Sequence, residues 1–335
     1  MKTPSGVSVS IEQLKKSYDA EVKNFLREKQ ILAVILKSCV QEFSDCSLSD
    51  IAGKYIEGEP SVSSVCVDQN QDVEFPGAVQ YTGSKIAGLS NEDKSIHEGL
   101  VTYDIRFAAT APKTGGHIKL IINIEAQRES RGQGYPIVKR GVYYCSRLIS
   151  AQKNVEFSGM DYDGVKKVYS IWICQNVPKD REYSIVSYDI RERIITERYG
   201  LRAEPVENYD LMSVVLMGLG NPEVEDTDAA LRLLSTAFSE DVDADTKKRI
   251  LSEKFGISMT EDIEGTVDRM CNLSSGIEER AEARGIRQGI VRGLEQKTVE
   301  SINNMIALGY PDSEISICLS VPVEKVTAAR SLVSV

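Results

Sequence analysis

The stretch Gly99–Gln127, GLVTYDIRFAATAPKTGGHIKLIINIEAQ, decides the fold. An apolar run over Gly99–Ala109 and another over His117–Ala126 are joined by Pro112-Lys113-Thr114-Gly115-Gly116, a turn by composition. The two runs predict an antiparallel hairpin. Leu120–Ile124 is almost wholly apolar, so its strand is expected in the middle of a sheet, covered on both faces. Asn123, Glu125 and Gln127 follow at two-residue spacing, which puts all three on one face. If the hairpin closes about Thr114–Gly115, Asp104 stands directly opposite Glu125.

Directly opposed residues have Cβ atoms roughly 4.5–5.5 Å apart. Two carboxylates held that close in an apolar sheet repel and are desolvated, so one takes a proton or both share a cation. A divalent metal is the natural partner: Mg²⁺ takes one or two protein carboxylates plus waters and phosphate oxygens, and can activate water for phosphodiester cleavage. The alternative is a strand that ends before Glu125, leaving both acids in solvent at the sheet edge.

Working outward, Ile11–Phe43 carries apolar residues at helical spacing and reads as one long amphipathic helix or two in series. Val62–Val67 is a short strand after the breaker Glu57-Gly58-Glu59-Pro60. Beyond the hairpin, Pro136 suits a helix start, and Ile137–Gln152 fits a helix packed on the hairpin. Val168–Cys174 is a further buried strand and Tyr183–Ile190 another. The order is mixed α/β. After about Leu201 the pattern predicts a helical extension over 201–275. Residues 276–298 carry Gly276, Gly285, Gly289 and Gly293, a linker helix or self-association arm that makes a homo-oligomer a candidate state. Residues 299–335 form three short helical segments, a helix-turn-helix or a plain three-helix cap.

At 335 residues with 41% apolar side chains, the chain is long enough for a large domain plus a smaller one. Its apolar stretches are far shorter than the roughly 20 residues that cross a bilayer, and Met1–Ser10 has no signal core, so no membrane partner and a cytoplasmic address are expected. Seven scattered cysteines without a C-x-x-C pair read as thiols in a reducing compartment, and only His97 and His117 are present. A zinc site or a His-based triad is thereby disfavoured. The net charge of −10 argues against nucleic acid until its placement is considered. Val101–Val155 holds nine basic and three acidic side chains, a local +6 in an otherwise acidic chain. Within it, Arg128 and Arg131 lie in a loop-like stretch, and Lys139, Arg140, Tyr143 or Tyr144, and Arg147 lie on the next helix. Basic side chains interleaved with aromatics hold phosphates and stack bases.

These residues resemble a family. Asp104 in YDIRF, Glu125-Ala126-Gln127 in IINIEAQ, then GYPIVKRGVYYCSRLISAQ and VYSIWIC are similar to the PD-(D/E)XK nuclease superfamily, in its transposase-associated, recombination-promoting branch. The similarity runs from about Asp19 into the glycine-punctuated segment. It implies an αβββαβ core with a mixed central sheet over residues 1–200, and a metal-dependent DNA endonuclease associated with mobile elements or recombination. It implies Asp104 and Glu125 as ligands of Mg²⁺, with Mn²⁺ as substitute, and Gln127 in the place usually held by lysine. An amide there orients the attacking water by hydrogen bonding but supplies no charge, so another cation, such as Lys29 or Arg106, is a candidate substitute. Many superfamily members add an acid from the first helix, for which Glu21, Glu28 and Glu42 are candidates. Arg128, Arg131, Lys139, Arg140 and Arg147 would hold the DNA backbone. The rival reading is a non-catalytic nucleic-acid-binding or assembly protein that keeps the fold.

Overall fold

A computed structural model describes residues 10–62, 92–95, 99–113, 116–129, 135–224 and 227–333. The N-terminal stripe folds as two helices in series, α1 (Ile11–Leu26) and α2 (Lys29–Cys39), with a break at Arg27 and Glu28. A single turn, α3 (Leu48–Asp50), capped by the Ser47 side chain, runs into a π-type turn at Ile51–Tyr55. Of the expected strand Val62–Val67, Ser61–Val62 forms the short β1, and residues 63–67 lie outside the described residues.

The expected strand Gly99–Ala109 is divided. Its first part, β3 (Gly99–Thr102), pairs with β2 (Glu92–Ser95) in a separate two-stranded ladder, and its second part is β4 (Ile105–Lys113). The chain bends between them at Asp104. β4 pairs antiparallel with β5 (Gly116–Glu129), from Lys113 opposite Gly116 to Ile105 opposite Ile124. One step further along that register lies Asp104 opposite Glu125.

From β5 the chain crosses through α4 (Ile137–Ser150) to β6 (Lys167–Asn176), which lies parallel to β5. Next come β7 (Ser184–Asp189) and β8 (Met212–Gly218). β8 corrects the helical assignment of 201–275: MSVVLMG is a buried strand inserted between β6 and β7, parallel to one and antiparallel to the other. The sheet is therefore open and mixed, in the order β1-β4-β5-β6-β8-β7, five full strands with β1 as a two-residue edge. A seven-residue apolar run reads equally as helix or strand by periodicity alone, which is why β8 was hidden. The rest of that region is helical: α5 (Ala229–Phe238), α6 (Ala244–Phe255) and the start of α7 (Glu261–Ala307).

Both faces of the sheet are covered, as the apolar β5 requires. Leu120–Glu125 is buried throughout. On one face α4 lays Tyr144, Cys145 and Leu148 against Ile121, Trp172 and Val214. Close approach is set by Gly141: a Cβ there would collide with Val214 Cγ1 and stand 3.1 Å from Trp172 Nε1. On the opposite face α2 buries Ile31–Leu36, Cys39 Sγ lies 3.4 Å from Met217 Sδ, and Phe25 of α1 meets Phe238 of α5 edge-on at 6.0 Å.

By its contacts the chain forms two compact units, residues 12–274 and a second made of 1–11 with 275–335. The second unit contains the continuation of α7, then α8 (Asp312–Leu319) and α9 (Val323–Val333). Its core is Ile302, Ile306, Ile315 and Val326. Arg330 closes it by pairing with Asp312 at 2.6 Å. Among the described residues no helix is long and apolar enough to cross a membrane.

Candidate functional site

The site forms where β4 begins and β5 is about to end. Asn123, Glu125 and Gln127 alternate along β5 on the face that carries Ile121, hence the face covered by α4. Asn123 and Glu125 are buried, and Asn123 Nδ2 donates to Glu125 Oε1 at 3.2 Å. Asp104 sits at the bend before β4. Its backbone N–H donates to Glu125 Oε1 at 3.1 Å, and its Oδ2 accepts from the Ala126 N–H at 3.1 Å. The two carboxylates are thus adjacent, and the alternative that leaves both in solvent is excluded for Glu125, which is 3% exposed.

Lys23 supplies a cation. Its Nζ lies 2.9 Å from Asp104 Oδ1 and 3.0 Å from Asp19 Oδ2, and the residue is 4% exposed. Burial alone would favour the neutral amine, but Asp104 and Asp19 outweigh it and hold the ammonium above its ordinary range. The carboxyl of Asp104 is pushed up by burial and pulled back by Lys23. The carboxyl of Glu125 is pushed well above the usual carboxylate range, chiefly by burial and then by the Asp104 charge. Burial and the Asp104 charge thus favour the protonated form of Glu125, while Lys23 supplies a cation to Asp104.

Arg140 of α4 approaches from above the sheet. Its guanidinium lies 5.1 Å over both the Tyr144 and Trp172 rings and donates to Tyr144 Oη at 2.7 and 3.1 Å. Its charge opposes the upward shift of Glu125. Tyr144 belongs to the core while Tyr143 is exposed.

The other expected site residues are distributed as follows. Gln127 lies two residues beyond Glu125, opposite Cys174 and only partly buried. Arg128 is paired with Glu240 at 2.6 Å and lies over the Tyr18 ring at 5.7 Å. Arg147 is buried, its Nη1 donating to Tyr143 Oη at 3.2 Å, so it is turned into the protein rather than towards a ligand. Lys139 is exposed. Arg131 lies outside the described residues.

Of the two candidate substitute cations, Lys29 pairs with Glu59 at 3.4 Å, and Arg106 is buried over the Tyr103 ring at 5.4 Å. The first-helix acids are also placed elsewhere. Glu21 pairs with Arg269 at 3.0 Å, and Glu28 lies at the α1–α2 break. Glu42 bonds Lys167 at 3.1 Å and Tyr169 at 2.6 Å, at the start of β6. The acid that α1 does bring near is Asp19, through Lys23. The sequence carries a signal for this pair, an acid four residues before a lysine, bordering the stripe of Tyr18, Val22 and Phe25.

Among the described residues no group of three or more His, Cys, Asp or Glu side chains gathers as a metal cluster. Comparison with protein-family models, with curated proteins and with solved structures finds no match for this chain.

Proposed function

We propose that this chain is a divalent-metal-dependent DNA endonuclease of the PD-(D/E)XK kind, acting in the cytoplasm on mobile-element or recombination DNA. The observation that carries this reading is the Asp104–Glu125 pair, two adjacent carboxylates bonded through each other's strand and buried at the end of a hairpin. The order of α1 and α2, the β4–β5 hairpin, α4 and the parallel strand β6 supports the corresponding αβββαβ core.

The residues present fit Mg²⁺. Two carboxylates suffice for an ion that keeps several waters and shares its remaining positions with phosphate oxygens. Both carboxyls are raised, so the site gains from added positive charge. Asp104 and Glu125 would hold the ion, with Mn²⁺ as substitute, and when bound it would activate water and neutralise charge developing on the phosphate. Gln127 would orient the attacking water by hydrogen bonding. Lys23 would provide the fixed positive charge that glutamine lacks; since its ammonium is held protonated, it acts electrostatically and not as a base. Lys139 is the exposed cation of α4 best placed to meet the DNA backbone.

One observation favours the rival, a binding protein that does not cut: Lys23 already neutralises Asp104. Nicking of supercoiled plasmid in Mg²⁺, Mn²⁺ or EDTA separates the two. Metal-dependent nicking that disappears in both Asp104→Ala and Glu125→Ala supports the nuclease. DNA binding without nicking under any metal supports the rival.

A further inference from the structure

The edge of the sheet at β7 carries two features that one copy of the chain leaves unmatched. The first is a finger of chain. After Asp189 the backbone leaves the sheet, and every residue from 187 to 208 is exposed. The finger is nonetheless held in shape: the Glu204 N–H approaches Glu192 Oε1 at 3.5 Å across its base, and the Leu201 N–H donates to Glu197 Oε2 at 2.9 Å across its tip. Gly200 turns the tip with φ +78°, and Arg198 stacks over Tyr199 at 5.2 Å. Yet Ile190, Ile194, Ile195, Tyr199, Leu201 and Val206 each leave between 42% and 89% of their surface open.

The second feature is a groove of about 520 Å³ on the α4 face of β7, lined by Val138, Val177, Val186, Tyr188 and Leu216. α4 covers β5, β6 and part of β8 and stops short of β7, so this end of the sheet keeps an apolar face. β7 itself has no buried residue and pairs on one side only. An open edge strand beside an apolar groove is a template for association.

We infer that a second copy of this chain docks here, each finger laying Ile195 and Tyr199 into the groove beside its partner's β7. Two arguments select a second copy as the occupant. Finger and groove both adjoin β7, so a two-fold axis beside that strand sets each finger over the other's groove, the self-complementary arrangement of an isologous dimer. The apolar surface is of the right size: at ~150–200 Å² for each large side chain, the finger exposes about 600 Å² of it, close to the ~800 Å² that each partner gives to a standard interface. This interface is independent of the nuclease reading and distinct from α7.

Sedimentation velocity on the full chain, over about 1 to 100 µM, tests it beside the double finger variant Ile195→Asp/Tyr199→Asp and the groove variant Val186→Glu. The expected result is a wild-type dimer whose dissociation constant rises roughly thirtyfold or more in each variant, the loss typical of an interface anchor. The finger has no interior of its own, so its variant is expected to keep the wild-type circular dichroism and melting temperature and decides the matter even if the groove variant misfolds. A monomeric wild type overturns the inference. So does a dimer that survives the finger substitutions, including one lost only when the chain is truncated before Gly276.

Discussion

Asp104 and Glu125 hold each other through their strands: the Asp104 N–H donates to Glu125 Oε1, while Asp104 Oδ2 accepts from the Ala126 N–H beside Glu125, both at 3.1 Å. Neither carboxylate can turn away without leaving a backbone N–H unsatisfied. The hairpin therefore fixes the pair at the cost of charge crowding, and the chemistry of the site follows from how that crowding is relieved.

Proton uptake is one form of relief, and it gives a pH dependence with a definite sign. Both carboxyls are raised by burial, Glu125 well above its ordinary 4.5. An acid whose folded pKa exceeds its unfolded one stabilises the fold fully below the unfolded value, and that contribution is lost as pH rises through the folded one. Urea midpoints of the wild type are expected to fall from about pH 4.5 upward until Glu125 has ionised. Glu125→Gln, which keeps an acceptor for the Asp104 N–H, is expected to flatten the profile. Equal slopes in the two proteins would show that Glu125 carries no raised proton.

Lys23 is the other form of relief. Lys23→Met leaves Asp104, Asp19 and Glu125 together without their ammonium, and breaking a buried pair on one side costs about 3 kcal/mol. A divalent cation can take over part of that neutralisation. Thermal melts are expected to show a larger upward shift on adding Mg²⁺ to Lys23→Met than to the wild type. The same shift in both proteins would separate the metal from this pair.

Glu42, a candidate for the first-helix acid, is given a structural task instead. With Asp210 it neutralises Lys167, which lies 2.6 Å from Asp210 Oδ2 and 5% exposed at the start of β6. Glu42→Ala is expected to cost about 1–3 kcal/mol in chemical denaturation, while nicking per folded molecule stays at the wild-type level. Loss of nicking with unchanged stability would return Glu42 to the site.

Much of this arrangement is legible in the sequence because strands have a period of two. The apolar run Leu120–Ile124 places β5 inside the sheet, and the register that pairs Lys113 with Gly116 sets Asp104 against Glu125. Two things escape such reasoning. Lys23 and Asp19 reach the site through the packing of α1 against the end of the sheet, a long-range contact that helical spacing does not encode. β8 escapes because an apolar run buried on both faces shows no alternation, and its place between β6 and β7 depends on chain order in space. The basic island surrounds the acid pair in sequence, yet tertiary packing turns Arg147 inward and ties Arg128 to Glu240.

Packing of α4 on the sheet depends on Gly141, where an added side chain meets Val214 and Trp172. Gly141→Val is expected to destabilise by about 1–3 kcal/mol, the usual cost of overpacking. Even Gly141→Ala, which gains ~1 kcal/mol of helix propensity, is expected to show no net gain in the urea midpoint. A clear stabilisation by alanine would mean that α4 stands further from the sheet.

The central claim is that Asp104 and Glu125 together hold a divalent cation. Calorimetric titration of Mn²⁺ into the wild type, Asp104→Asn and Glu125→Gln at about pH 8, above the ordinary carboxylate range, tests it most directly. The account predicts a single site in the wild type that both amide variants lose while remaining folded. Binding of equal strength in all three proteins, or none in the wild type, would contradict it.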